Sequence, residues 1–316
     1  MTIEATHLDL ISLRKTGWRK LLAFRTVSQK KMEGQLSQEE YIARWSAEQK
    51  TAEQRKETAV MTACLWHMES LGVTYAKQTP AGKTLNDPAL PLACWPIVHV
   101  GMGAGSVEVS NFNPNKITEM IESLSNPSFH LFPYESLGAM LGVYEKSLPR
   151  IMLGLKPLNR PEPQGFIKFF SPEIQRLISH GYGRLLYFNS VNIAATVRNI
   201  AARSFLQAPA AVQGMAFGYT MVNNADLWTV LETGTGFESP ELKAAFRNGL
   251  IYGLEFWEWE SPGFLRTLKP PNKNSAELID IAQQDIEVSR SRGFLAPFWV
   301  GNAGYQPAPR AARVQL

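Results

Sequence analysis

The stretch from Pro209 to Asp226, PAAVQGMAFGYTMVNNAD, constrains the fold more than any other part of the chain. Its two glycines, Gly214 and Gly218, stand four residues apart, which in a helix puts them on one face a turn apart. The same spacing recurs at Gly138 and Gly142 and at Gly249 and Gly253, each time inside a helical apolar pattern. Glycine inside a helix costs about 0.5–1 kcal/mol relative to alanine, so these pairs predict helices whose backbones approach closely. In an apolar segment of about 20 residues the spacing would mark membrane helix dimers, but Arg, Glu, Asn or Asp interrupts every apolar run before the roughly 18 residues a span needs. Packing within a soluble protein is the expectation.

The remaining pattern predicts a mainly α fold. Residues 6–30 and 37–72 read as long helices, the second opening on the capping box Ser37-Gln-Glu-Glu40. Five prolines and glycines between Thr74 and Pro96 (Pro80, Gly82, Pro88, Pro91, Pro96) predict a loop. Helices then start at Asn113-Pro114, Pro133-Tyr134, Ser171-Pro-Glu173 and Ser239-Pro-Glu241, and a last one from Ser275 to Arg292 stops at Gly293. No segment alternates apolar and polar residues with the period of a strand, so little sheet is expected.

The second half of the chain echoes the first. Leu177-Ile-Ser-His-Gly181-Tyr-Gly183 matches Ile97-Val-His-Val-Gly101-Met-Gly103, and Gly214-Met-Ala-Phe-Gly218 follows at nearly the spacing that separates Gly138-Ala-Met-Leu-Gly142 from its own partner. The pattern predicts two similar helix-turn-helix repeats packed through Gly-x-x-x-Gly faces. The expected organisation is N-terminal long helices over 1–75, a first repeat over 76–150, a Pro-rich connection over 151–171, a second repeat with the C-terminal helices over 172–295, and a partly disordered Pro/Arg tail over 296–316.

Composition narrows the function classes. With 45% hydrophobic and 19% charged residues the chain reads as globular, and its two cysteines, Cys64 and Cys94, are too few for a disulfide framework. The start, MTIEATHLDLISLRK, lacks the order of charge, apolar run and small-residue site that marks a secretory signal, so a cytoplasmic location is expected. A net charge of +4 without a basic stripe in the middle argues against nucleic acid. Arg14, Lys15, Arg19, Lys20 and Arg25 do interleave with Leu10, Leu13, Trp18 and Phe24 near the front, which reads as a solvated helix face, with transient membrane-surface contact as the alternative.

The usual chemical markers are missing. Gly101-x-Gly103-x-Gly105 brings its third glycine one residue early for a dinucleotide fingerprint, and no Walker loop, G-x-S-x-G elbow or H-E-x-x-H motif occurs. Five histidines are scattered without metal-ligand spacing, so neither metal nor nucleotide cofactor is expected. What remains is a set of polar groups in apolar surroundings. His99 and His180 occupy matching glycine-flanked places and read as backbone-bonded histidines or as general acid/base groups. Glu135 stands at a helix start, where the dipole favours a carboxylate in any case. Asn223 and Asp226 end the glycine helix beside Trp228, and Tyr134, Tyr182 and Arg184 could wall a site.

Tyr134-Glu135-Ser-Leu-Gly138-Ala-Met, His180-Gly-Tyr-Gly-Arg184 and Gln213-Gly-Met-Ala-Phe217, in this order before a terminal aromatic helix, resemble the unknown-function protein family encoded in enediyne natural-product biosynthetic clusters. Ser136-Leu137 departs from that family's first motif. The resemblance spans roughly residues 65–265 and implies a context, secondary metabolism, with no reaction attached. Two functions follow as expectations. The first is an enzyme, a cyclase or isomerase independent of metal and nucleotide, acting by acid/base catalysis on an apolar polyketide, polyene or isoprenoid-like small molecule. Its expected catalytic groups are Asp226, Glu135, His180 and His99, beside a cavity lined by Met140, Phe217 and Trp228, with Tyr134, Tyr182, Arg184 and Asn223 contacting substrate. A carboxyl with a raised pKa would be its acid. The second is a non-catalytic protein that shelters a hydrophobic intermediate or scaffolds partner enzymes.

Overall fold

The computed structural model describes residues 38–54, 58–79, 84–85, 90, 92–145, 158–189, 193–223 and 237–292. In chain order these form α1 (Gln38–Gln54), α2 (Thr58–Gln78), a 3-10 turn (Leu92–Cys94), α3 (Trp95–Ser110), α4 (Pro114–Leu124), α5 (Phe132–Glu145) and α6 (Pro163–Lys168). There follow α7 (Pro172–Asn189), α8 (Ile193–Ala201), α9 (Ala208–Asn223), α10 (Pro240–Glu260), α11 (Phe264–Thr267) and α12 (Lys273–Arg292). No strand occurs among the described residues, and the fold is mainly α. The basic segment near the front, Ser37 of the capping box and the Pro/Arg tail lie outside the described residues.

Local chemistry sets the helix starts. The side chain of Asn113 accepts from the Lys116 amide at 3.2 Å and that of Ser239 from the Leu242 amide at 3.3 Å, each with a proline in the first turn. Ser171 does the same for α7 through the Ile174 amide at 3.4 Å. Two details differ from the sequence reading: helix α2 continues to Gln78, and the Pro-rich connection contains α6. The segments around Gly101 and Gly181 lie inside α3 and α7. The order long, short, long recurs as α3–α4–α5 and as α7–α8–α9.

The long helices pack in a row, α2 on α3, α3 on α5, α5 on α7, α7 on α9, α9 on α10 and α10 on α12, and α9 also reaches α2. There the Thr62 hydroxyl of α2 donates to the Met221 carbonyl of α9. A single apolar core runs from Ile42 to Ile286. Successive helices touch backbone to backbone. A methyl group added at Gly72 would fall on the Val98 carbonyl, at Gly101 on the Glu69 carbonyl, at Gly181 on that of Glu135 and at Gly214 on that of His180. Such approach allows Cα–H contacts to carbonyl oxygens and brings the axes as near as helices can come.

The glycine pairs are not equivalent within one seam. At Gly218 a Cβ would still lie 2.9 Å from the Arg184 carbonyl, whereas at Gly214 it would sit inside the His180 backbone. Gly214→Ala is therefore expected to lower the melting temperature more than Gly218→Ala, with the cost of the former at or above the ~1–3 kcal/mol typical of overpacking. Thermal melts of the two purified variants check this, and equal transitions would show that the α7–α9 seam is not the tight one.

Candidate functional site

At the glycine crossings the side chains of neighbouring helices meet in the interior. Glu135 enters from α5, and His180 and Arg184 enter from α7, where a separation of four residues stacks them on one face. The Arg184 guanidinium grips the Glu135 carboxylate with two parallel bonds, Nε to Oε1 at 2.8 Å and Nη2 to Oε2 at 2.9 Å. His180 Nδ1 lies 3.2 Å from the same Oε1. Arg184 also reaches across toward α2, where Glu69 Oε1 lies 3.9 Å from Nη2. Two aromatic rings wall the imidazole, Phe217 of α9 at 5.4 Å and Tyr252 of α10 at 6.0 Å between centroids. Phe256 packs edge-on against Phe217 at 5.6 Å and extends the wall.

Electrostatics assigns the protons. Burial alone would push the Glu135 carboxyl up, but Arg184 and the His180 contact outweigh it and hold the group near 2, so it is an ionised acceptor. Burial lowers His180, and the adjacent carboxylate only partly opposes this. A neutral imidazole beside an ionised carboxylate donates its Nδ1 proton to it, which leaves the lone pair on Nε2. The guanidinium stays charged, because its two carboxylate neighbours offset its burial. The Tyr252 phenol is raised by burial and by the surrounding acids, so it stays protonated.

The structure thus brings together Glu135, His180, Arg184 and Phe217 of the residues named from sequence. The role expected of Glu135 as an acid with a raised pKa is corrected by Arg184, which keeps it ionised. His99 is engaged elsewhere. Its Nδ1 lies 2.7 Å from the Trp95 carbonyl one turn back in α3, and its Nε2 accepts from the Asn126 amide at 2.9 Å, which ties α3 to the turn before α5. Tyr182 points away from the cluster, as a residue two positions from His180 on a helix must. Its hydroxyl donates to Glu145, whose carboxylate is held by Arg203 at 2.9 Å, with that guanidinium 5.4 Å above the Tyr182 ring. Tyr134 packs edge-on against Phe170. Met140 is buried in the core. Asp226, Trp228 and the side chain of Asn223 lie outside the described residues.

Sequence reasoning missed Glu69 and Tyr252. Both had a signal: Tyr252 sits within the Gly249 and Gly253 pair, and Glu69 is an acid in an apolar helical run three residues before Gly72. Among the described residues no group of three or more His, Cys, Asp or Glu side chains could hold a metal ion, and no helix is long and apolar enough to cross a membrane. Comparison of the chain with protein-family models, with curated proteins and with solved structures finds no match.

The shifted histidines have a consequence for stability. The folded-state pKa of His99 is lowered by burial from 6.5 to about 4. Between these values the unfolded chain binds the proton and the folded chain does not, so this group's contribution is full above 6.5 and is lost as pH falls toward 4. Glu255 and Glu260, both raised by burial, act in the opposite direction, so the comparison must be made against a variant. The stability gap between the native protein and His99→Gln is expected to widen by up to about 3 kcal/mol as pH rises across that window. Denaturant titrations at stepped pH measure the gap, and a constant gap would contradict the burial of a neutral imidazole.

Proposed function

We propose that this chain is an enzyme of secondary metabolism that moves protons on an apolar polyketide, polyene or isoprenoid-like substrate, closing a ring or shifting a double bond, in the cytoplasm and without metal or nucleotide. The observation that carries the reading is the buried Glu135, His180 and Arg184 cluster against Phe217 and Tyr252. A structural ion pair needs only Glu135 and Arg184, and buried pairs of that kind add little to stability over apolar residues of the same size. Here the carboxylate also holds an imidazole in one tautomer, the arrangement that makes histidine a general base. Arg184 cancels the charge of Glu135, so the imidazole keeps its neutral form while staying oriented.

The aromatic surroundings fit an apolar substrate. Phe217 and Tyr252 present ring surface to His180, and Phe256 extends it. Desolvation there suits a base that must act on a weakly acidic C–H bond, because water neither competes for the lone pair nor quenches a reactive intermediate. The link to secondary metabolism rests on the resemblance of the three short motifs, which between them supply Glu135, His180, Arg184 and Phe217 to the cluster.

The test is complementation of a producing strain from which the gene has been removed, with native protein and with His180→Asn. A folded His180→Asn protein is expected to lower product formation by about 100-fold or more. Full product from a folded variant would remove the base and leave the protein as a sheltering or scaffold protein.

A further inference from the structure

Glu260 is the last residue of α10 and only 6% exposed, and neither of its carboxylate oxygens has a hydrogen-bond partner among the described residues. At rest the protonated carboxyl is favoured there over the carboxylate. Burial raises its pKa well above the ordinary 4.5, and the negative end of the helix dipole works in the same direction. Among the described residues no cation makes a salt bridge with it. Helix α10 packs on the 3-10 turn that carries Cys94, whose thiol is itself pushed up by burial and by Glu260, and Cys64 lies within electrostatic reach of that thiol. The indole N–H of Trp259 and the hydroxyl of Ser261 beside it are likewise without hydrogen-bond partners among the described residues. A buried polar group left unpaired costs on the order of 1–3 kcal/mol, a violation that folds tolerate chiefly where a site requires it.

Helix geometry connects this acid to the His180 cluster. Tyr252, Phe256 and Glu260 follow one another at four-residue steps, so they lie along one side of α10 on successive turns. Tyr252 meets the His180 ring, Phe256 meets Phe217, and Glu260 ends the series. Eight residues rise about 12 Å along a helix. An acid and a base thus stand at the two ends of a line of aromatic rings.

We infer that Glu260 is the general acid of this site and that the substrate is an extended polyene reaching from Glu260 to His180. The inference rests on the reading of His180 as the base. In the step, the O–H bond of Glu260 breaks and its electron pair stays on the carboxylate. The proton forms a C–H bond with a terminal alkene carbon, using the alkene's π pair and leaving a carbocation. Attack by an internal double bond closes the ring and carries the positive charge toward the other end. His180 Nε2 then removes a proton from the carbon next to the cation, and that C–H pair becomes the new double bond. The substrate keeps its molecular formula. Glu260 regains and His180 loses one proton by exchange with water. The rings of Phe256, Phe217 and Tyr252 stabilise the passing cation through their π electrons.

The experiment is the same complementation with Glu260→Gln, Glu260→Leu and Glu260→Asp, alongside His180→Asn, with the melting temperature of each purified variant. Glu260→Gln and Glu260→Leu are expected to melt at or above the native temperature, because an unsatisfied acid has been removed, and to lower product by about 100-fold or more, with partial recovery in Glu260→Asp. Native product levels from folded Glu260→Gln overturn the inference. So does a drop in product that only follows a drop in folded protein. Loss of product in His180→Asn but not in Glu260→Gln sinks the acid and keeps the base, while the converse sinks the base. Should the variants fail to fold, infrared spectroscopy of Glu255→Gln protein with ¹³C-labelled glutamate decides, since Glu255 is also raised by burial: the inference requires an undissociated carboxyl stretch at neutral pH in that protein, and its absence contradicts it.

Discussion

Where two helices touch through glycine, there is no layer of apolar side chains between their backbones. The residues flanking each crossing must either be small or reach past it. In this protein the carbonyls on which the glycines rest include those of Glu69, Glu135, His180 and Arg184, the residues whose side chains make the charged cluster. The seam thus fixes both the depth of these groups and their heights on adjacent helices. Once Arg184 is carried to that depth it must be paired, because an isolated buried guanidinium is far costlier than a hydrogen-bonded one. Glu135 supplies the pairing with both oxygens, and Glu69 adds a second negative charge from the far side.

That pairing divides the buried acids into distinct states. Glu135 has a cation in contact and stays ionised near 2. Glu145 is matched by Arg203 and a tyrosine hydroxyl in a separate, more exposed cluster. Glu260 is buried without a salt-bridge partner among the described residues, and stays neutral. Acid and base functions in one fold arise from such contrasts of environment among chemically similar groups. Of the two carboxylates that sequence alone nominates as acids, Asp226 and Glu135, Glu135 has surroundings that make it an acceptor, and the carboxyl of Glu260 lies neutral at the end of the aromatic helix.

The sequence made the helices and the need for close approach legible, because glycine pairs at helical spacing and Asn-Pro or Ser-Pro starts are local signals. It also named Glu135, His180, Arg184 and Phe217. It could not separate them from His99, Tyr134 and Tyr182, since direction around a helix is settled only once the partner helix is known. His180 and Arg184 share a face, and Tyr182 between them does not. The ionisation of Glu135 was out of reach for the same reason, because the deciding guanidinium is 49 positions away. Glu260 gave no signal at all: an acid at the end of an aromatic helix looks like a solvated terminus until both of its oxygens are found buried.

The account turns on His180 being a neutral imidazole oriented by an ionised carboxylate. Two-dimensional ¹⁵N–¹H correlation spectroscopy of the histidine-labelled native protein, with His180→Asn used to assign its signals, reads this directly. The account predicts a neutral ring at neutral pH with the proton on Nδ1, unchanged as the pH is lowered past the ordinary value of 6.5. An imidazolium at neutral pH, or a neutral ring protonated on Nε2, would contradict it.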